Sequence, residues 1–145
     1  MAIRIISHAK YNAHTEPLFT KLSILPFNML SEFFKLQFMQ HYTQNFLPEA
    51  LENTWITNAI RRDNQAQIEL RKNDILHIPF ACTSTTTKHP LTSFPRLWTE
   101  FPDEEIKFQR NKLEFNNKLK AHFLNKLNQN VICGRLLCPD CHLNI

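Results

Sequence analysis

The sequence predicts an α+β protein that is mainly helical, with a small β-hairpin near its middle. Apolar residues recur every three or four positions across residues 28–45 and 103–128, which is typical of buried helix faces. Between these stretches, residues 68–80 alternate apolar and polar side chains, as a strand does. Hydrophobic residues make up 43% of the chain and charged residues 21%, which is enough apolar surface for a core. We expect helices, then the hairpin, an ordered loop and a long C-terminal helix.

The first two helices are predicted to be short. Residues 3–11 carry an isoleucine pattern typical of a helix end, and it breaks around residues 12–15. Thr15 is expected to cap a second helix with Glu16 and Pro17 in its first turn, where the dipole favours an acid and proline loses no hydrogen bond. Its buried side should consist of Leu18, Phe19 and Leu22.

The most apolar helix is predicted to run from a cap at Asn28 to about Asn45. Its two apolar stripes are formed by Leu30, Phe34, Phe38 and Tyr42 and by Met29, Phe33, Leu36 and Met39. Because these stripes are wide, the helix should be largely buried, with Glu32, Lys35 and Gln40 left outside. One or two short helices are expected around Trp55.

The β-hairpin is predicted from a change of period at residues 67–80. Ile68 and Leu70 would lie on its first strand, and Asn73-Asp74 offers a turn. The second strand would present Leu76, Ile78 and Phe80. Residues 81–102 are rich in Thr, Ser and Pro and predict an ordered loop anchored by Leu91, Phe94, Leu97, Trp98 and Phe101.

The last helix is expected to start at Asp103 and to run to about Asn128. Glu104 and Glu105 follow Asp103, where negative charge suits a helix start. This capping role is a more ordinary explanation of the acidic triplet than a catalytic or metal-binding one. The buried stripe of this helix should be formed by Phe108, Phe115, Leu119 and Phe123.

The sequence offers no catalytic site. Gly134 is the single glycine, which excludes the glycine-rich loops of P-loop and dinucleotide-binding proteins. The motifs G-x-S-x-G and H-E-x-x-H are both absent. We therefore predict a protein that is not an enzyme, with a helical and hairpin domain at residues 1–130 and a Cys/His-containing tail at residues 131–145.

Basic residues suggest contact with nucleic acid. The formal net charge is +4, and six lysines and arginines lie along residues 103–128. The predicted contact residues are Arg61, Arg62, Lys107, Arg110, Lys112, Lys118 and Lys120. The alternative is a solvated helix face with ordinary lysines. Trp55 and Trp98 either stack on bases or anchor the core, and core anchoring is the commoner role.

The C-terminal tail contains a candidate zinc site. Its ligands would be Cys133, Cys138, Cys141 and His142, of which Cys138 and Cys141 have the C-x2-C spacing that lets two thiolates bind one Zn²⁺. Neighbouring Cys141 and His142 rarely bind the same ion, so Cys82 or a distant histidine would complete the set. The alternative is a group of reduced thiols without metal. The chain shows no signal peptide and no membrane-length apolar run, so an intracellular protein of the nucleus or cytoplasm is expected.

Several motifs occur in a suggestive order. They are HTEPLF at residues 14–19, L-R-x-N-x-x-L-x-x-P at residues 70–79, and W-x-x-x-P at residues 98–102 leading into a helix rich in Phe, Lys and Leu. Intervening segments continue the pattern, among them LQFMQHYTQNFLP at residues 36–48. Together they resemble the C-terminal region of reverse transcriptases from jockey-like non-LTR retrotransposons, over nearly the whole chain.

This resemblance implies a segment that follows the fingers and palm of the polymerase and begins near the thumb. Such an enzyme is an RNA-directed DNA polymerase that uses metal ions held by palm aspartates, and no Asp-Asp pair occurs here. The implied function is non-catalytic contact with template RNA or target DNA, beside the upstream polymerase domain of the same element. Many relatives carry a Cys/His cluster near the end, and the C-x4-C-x2-C-H here departs from a complete knuckle.

An alternative of a different class fits the same apolar helices. A protein interaction module, or an inert relic of a decayed mobile element, would present Met29, Phe33, Phe34, Phe38 and Met39 to the polymerase from which it has been separated. Whether the isolated chain aggregates or remains a monomer in solution discriminates the two hypotheses.

Overall fold

The computed structural model describes residues 2–58 and 76–130, and most of them are helical. The α-helices are α1 (Ala2–Ile6), α2 (Thr15–Lys21), α3 (Phe27–Thr43), α4 (Ser84–Lys88), α5 (Pro90–Glu100), α6 (Glu104–Lys107) and α7 (Lys112–Asn130). A 3₁₀ turn at Glu49–Leu51 follows α3. The helix predicted after Thr15 is confirmed, although His14 occupies its N-cap position and Thr15 is its first residue.

The α+β prediction is wrong for the part of the chain that the structure describes, which contains no strand. An isolated antiparallel bridge joins Thr57 and Leu76, and the N–H of His77 donates to the carbonyl of Ile56 at 2.8 Å. No ladder continues beyond it in residues 77–82, since Pro79 has no N–H to donate.

The burial of the predicted second strand also differs from the prediction. Phe80 is 92% exposed, whereas strand alternation required it to be buried with Leu76 and Ile78. The predicted first strand, with Ile68 and Leu70, and the turn at 73–74 lie outside the described residues.

The loop predicted at residues 81–102 is replaced by helices α4 and α5. The Thr83 hydroxyl accepts from the N–H of Thr86 at 3.2 Å, and the Thr86 hydroxyl accepts from the N–H of Thr83 at 3.1 Å, which forms a capping box. Pro90 opens α5, where its missing N–H has no helical partner to lose. The Thr, Ser and Pro residues that predicted a loop therefore lie at the starts of two helices.

The long C-terminal helix is divided into α6 and α7. Asp103 is confirmed as the helix start, because its Oδ1 accepts from the N–H of Ile106 at 3.1 Å. Residues 108–111 then interrupt the helix. Phe108 was predicted in the buried stripe but is 79% exposed, since it lies in this break. Phe115, Leu119 and Phe123 are buried as predicted.

Helix α3 lies close to its predicted position, but it begins at Phe27, so Asn28 is inside the helix and is not its cap. Its burial also differs from the prediction. Leu36 and Met39 are buried, whereas Phe34 is 55% exposed. Gln40 was assigned to the outer face and is fully buried. Its Nε2 donates to the carbonyl of Gln109 at 3.1 Å, whereas its Oε1 is buried without a hydrogen-bond partner among the described residues.

The chain divides into two compact units, and the boundaries fall after Phe33 and after Lys112. Unit 1 combines residues 1–33 with residues 113–145, and unit 2 comprises residues 34–112. The described core of unit 1 contains Ile3, Leu25, Phe115, Leu119, Phe123 and Leu127, with the rings of Phe33 and Phe123 edge to face. The core of unit 2 contains Leu36, Met39, Trp55, Phe101 and Ile106.

Trp55 is the centre of an aromatic cluster in unit 2. Its ring stacks on Phe94 at 6.1 Å between centroids and meets Phe38 and Tyr42 edge to face. Its indole Nε1 donates to the carbonyl of Leu91 at 3.3 Å. Trp55 is only 7% exposed, so its role in this structure is packing.

In residues 2–58 and 76–130, three helices end at a residue in the left-handed conformation that is not glycine. These residues are His8 after α1, Ser23 after α2 and Asn45 after α3, with φ between 52° and 57°. In each case the next N–H reaches back five residues, which is the Schellman pattern: Ala9 to Arg4, Ile24 to Phe19 and Phe46 to His41. The capping bonds therefore hold a conformation that ordinary residues disfavour.

Candidate nucleic-acid interface

The connecting segment, residues 107–112 between α6 and α7, gathers three of the basic residues predicted from the sequence. Lys107 ends α6, Arg110 lies in the break, and Lys112 begins α7. The last hydrogen bonds of α6 mark where the break begins. The N–H of Phe108 donates to the carbonyl of Glu104 at 3.0 Å, and the N–H of Gln109 donates to the carbonyl of Ile106 at 3.1 Å. Arg110 and Lys112 are exposed and Lys107 is half-buried.

Two glutamines tie the connecting segment to α3. The Nε2 atoms of Gln40 and Gln44 both donate to the carbonyl oxygen of Gln109, at 3.1 Å and 3.0 Å. Gln40 and Gln44 are four residues apart and lie on the same side of the helix end. Because both lone pairs of this carbonyl accept hydrogen bonds, the backbone of the segment is held in place. The basic side chains of the segment therefore extend from a fixed backbone.

Two exposed aromatic rings occur in the segment and after the end of α3. Phe108 is part of the segment and is 79% exposed, and Phe46, which follows α3, is 69% exposed. The Phe46 ring meets the ring of His41 edge to face at 6.5 Å between centroids. Exposed aromatic rings next to cations are the usual composition of surfaces that bind single-stranded nucleic acid.

Two pKa shifts reflect this arrangement. Partial burial lowers the pKa of His41 below 6.5, and the positive charge of Lys112 lowers it further. Burial likewise lowers the pKa of Lys107, and the carboxylate of Glu104 opposes that shift. The shift of His41 favours its neutral form, with the charge of Lys112 as the smaller of its two causes.

A cleft of about 470 Å³ adjoins the connecting segment within unit 2. Its aromatic wall is formed by Tyr42, Trp55 and Trp98, and its charged residues are Glu52, Glu104 and Lys107. The rest of the lining consists of the neutral polar residues Thr43, Asn45, Asn53, Thr57 and Thr99 and the aliphatic residues Ile56 and Leu76. The Tyr42 hydroxyl donates to the carbonyl of Glu52 at 2.9 Å and also bonds to the carbonyl of Trp55, which fixes this wall.

Of the remaining basic residues predicted from the sequence, two belong to unit 1 and two lie outside the described residues. Lys118 and Lys120 belong to unit 1, and Lys118 pairs with Glu114 at 3.5 Å. Successive residues turn about 100° around an α-helix, so Lys118 and Lys120 point to nearly opposite sides of α7. Arg61 and Arg62 lie outside the described residues.

The predicted zinc ligands Cys133, Cys138, Cys141 and His142 also lie outside the described residues. Within residues 2–58 and 76–130, no group of three or more His, Cys, Asp or Glu side chains is arranged to hold a metal ion. Cys82, named above as a further ligand, is an exposed free thiol. None of the helices described has the length and apolar character needed to cross a bilayer.

Comparison with protein-family models, with curated proteins and with solved structures found no match to this chain. The interface is therefore defined by its geometry.

Sequence reasoning identified Lys107, Arg110 and Lys112 but missed the groups that organise them. Gln40 carried one available signal, since it interrupts an otherwise apolar stripe of α3. The carbonyl of Gln109 is a main-chain atom, and the cleft is assembled from residues that are far apart in the chain, so neither has a local signature.

Proposed function

We propose that this chain is the non-catalytic C-terminal segment of a retrotransposon reverse transcriptase and that it contacts single-stranded RNA or DNA through the connecting segment. The observation that carries the proposal is the set of cations at Lys107, Arg110 and Lys112, interleaved with exposed Phe108 and anchored by Gln109. Polymerisation would be supplied by the upstream domain of the same element, in the nucleus or cytoplasm. The order of sequence motifs supports the family assignment.

The charges of the segment suit a polyanion. Residues 107–112 contain three basic residues and no acidic one. The Glu104 carboxylate acts on Lys107, and the neighbouring Glu114 is paired with Lys118, so Arg110 and Lys112 are the main candidates for phosphate contact. Cations that contact phosphates release counterions, which gives sequence-tolerant affinity that falls as salt rises. Exposed Phe108 and Phe46 add stacking surface for unpaired bases, which a duplex does not offer.

The test is fluorescence anisotropy of the purified chain with labelled single-stranded RNA and duplex DNA across a salt series. We expect binding at micromolar concentrations that weakens steeply with salt and favours the single strand. In the Arg110→Gln/Lys112→Gln variant, the slope of log affinity against log salt should become shallower by about 1.4, because each lost phosphate contact removes about 0.7.

The matched control is Lys21→Gln/Lys88→Gln, which removes the same charge from two exposed lysines outside the segment. It should retain most of the affinity and the original slope. Equal losses in both variants would indicate non-specific attraction to a basic protein. Absence of binding at low salt by a folded sample would overturn the proposal.

A second function is favoured by a different observation. Large apolar side chains are exposed in both units, notably Phe27 at 81%, Tyr11 at 78% and Ile5 at 74% in unit 1 and Phe80 at 92% in unit 2. We propose as the alternative an interaction module, or a relic, whose exposed side chains pack against the upstream polymerase domain. Analytical ultracentrifugation tests it: self-association reversed by the upstream segment supports it, and a monomer that ignores that segment contradicts it.

A further inference from the structure

The cleft of unit 2 has the size and position of a ligand site. Its volume of about 470 Å³ lies within the range of sites that take small organic molecules. Lys107 belongs both to the cleft and to the connecting segment, and Asn45 lines the cleft immediately before exposed Phe46. A chain bound along the segment would therefore pass the mouth of the cleft.

The lining suits a planar, neutral group with several hydrogen-bonding atoms. Trp98 is half-buried and, among the described residues, makes none of the ring contacts that hold Trp55 in its cluster. Its side chain lines the cleft beside Tyr42 and Trp55 and is partly accessible to a ligand. The amides of Asn45 and Asn53 offer both donors and acceptors, which are the partners that base edges use.

The charges of the cleft decide which part of a nucleotide enters it. Glu52 and Glu104 outnumber Lys107, so the formal charge of the lining is negative and a phosphate is disfavoured inside. Carboxylates accept hydrogen bonds from the amino groups of bases. The phosphates would remain outside, beside Arg110 and Lys112.

We infer that the cleft receives one unpaired nucleobase, which stacks on Trp98 while its backbone lies on the connecting segment. The inference rests on the proposed function, because it assigns the base-binding part of the same interface. It explains why an acidic, aromatic cleft adjoins a basic segment. It also predicts that the affinity has a component that does not depend on salt.

The first experiment uses uncharged nucleosides and the indole N–H resonances of the two tryptophans. Adenosine, cytidine, guanosine and uridine are titrated into the ¹⁵N-labelled chain, with Trp98→Phe used to assign the signals and ribose 5-phosphate as the phosphate control. We expect a saturable shift of the Trp98 signal with at least one nucleoside and none with ribose 5-phosphate. Because Trp55 also lines the cleft, its signal can shift with that of Trp98, and backbone N–H signals of α1 in unit 1 serve as the internal reference.

The second experiment measures single-stranded RNA binding by Trp98→Ala and Trp98→Phe. Loss of one stacked base should weaken binding about tenfold in Trp98→Ala and leave the salt slope unchanged. Trp98→Phe keeps an aromatic face and should retain most of the affinity. Because nucleoside titration uses the unaltered chain, it tests the inference even if Trp98→Ala does not fold.

The outcomes separate this inference from the proposed function. Salt-dependent RNA binding with no nucleoside shift and no effect of Trp98→Ala overturns the base site and leaves the proposed function standing. A nucleoside shift without RNA binding supports the base site and contradicts the proposed function. A Trp98 shift caused by N-acetylarginine amide, and by no nucleoside, overturns the inference in favour of a cationic side chain of a protein partner.

Discussion

The indole Nε1 of Trp55 donates to the carbonyl oxygen of Leu91, the atom that Pro95 leaves without its helical partner. In an uninterrupted helix, the N–H of residue 95 would bond to the carbonyl of residue 91. Proline has no N–H, so α5 contains an unpaired carbonyl in its interior. A side chain from elsewhere in unit 2 satisfies this carbonyl, which explains how Pro95 is tolerated within the helix.

We predict that Trp55→Phe lowers the free energy of unfolding by about 1 kcal/mol through loss of this donor, in addition to the loss of packing. The cost should be smaller in a Pro95→Ala background, where the restored N–H can bond to Leu91. Urea denaturation of the four proteins in the double-mutant cycle measures the coupling. Additive effects would show that the carbonyl does not depend on the indole.

We predict that Asp103→Ala lowers the free energy of unfolding by about 1 kcal/mol, because the N–H of Ile106 loses its capping oxygen. Asp103→Asn keeps a capping oxygen and should cost much less. Thermal unfolding followed by circular dichroism compares the two variants. Equal losses would mean that the charge of Asp103 matters and that its hydrogen bond does not.

We predict that Gln40→Met/Gln44→Met weakens single-stranded RNA binding about fivefold, which corresponds to about 1 kcal/mol of additional ordering cost. The variant changes no charge but releases the carbonyl of Gln109 and, with it, the connecting segment. Each single variant keeps one of the two bonds and should bind nearly as the parent does. Fluorescence anisotropy measures the affinities, and unchanged affinity of the folded double variant would contradict a role for this anchor.

We predict that His41 makes the chain less stable in mild acid. The folded pKa of His41 lies below 6.5, so the unfolded chain takes up a proton first as pH falls through that value, and stability conferred by neutral His41 is lost. His41→Gln should therefore lose less stability than the parent between pH 7.5 and pH 5.5, a range that spans the ordinary histidine pKa of about 6.5. Urea denaturation at the two pH values checks this, and identical pH dependence would contradict it.

Local chemistry was predictable from the sequence, and contacts between distant residues were not. The cap at Asp103 and the position of α3 follow from neighbouring residues, so both were found. The burial of Gln40 depends on a carbonyl 69 residues away, and no local pattern encodes it. The strand predicted at Leu76 to Phe80 matched an alternating pattern, but Pro79 limits its pairing and Phe80 is exposed.

The candidate interface was likewise predictable in its residue types but not in its arrangement. Residue type alone identified Lys107, Arg110 and Lys112, because any cation is a candidate for phosphate contact. Their common position depends on the helix break at residues 108–111, whereas the sequence predicted one continuous helix. Periodicity across residues 103–128 predicted that Phe108 is part of the buried stripe, but in the structure that stripe begins at Phe115.

His8 and Ser23, the left-handed residues that end α1 and α2, are positions at which a substitution could stabilise the fold, whereas asparagine tolerates this conformation at Asn45. An ordinary residue in that conformation costs roughly 1–2 kcal/mol, and glycine avoids the cost at the expense of a more flexible unfolded chain. Ser23→Gly should therefore raise the free energy of unfolding by about 1 kcal/mol, whereas Ser31→Gly inside α3 should lower it by a similar amount. Chemical denaturation of both variants tests this contrast. With total stabilities of about 5–15 kcal/mol typical of folded domains, two such positions would give a designer or natural selection considerable room to change the chain's tolerance of heat or of mutation.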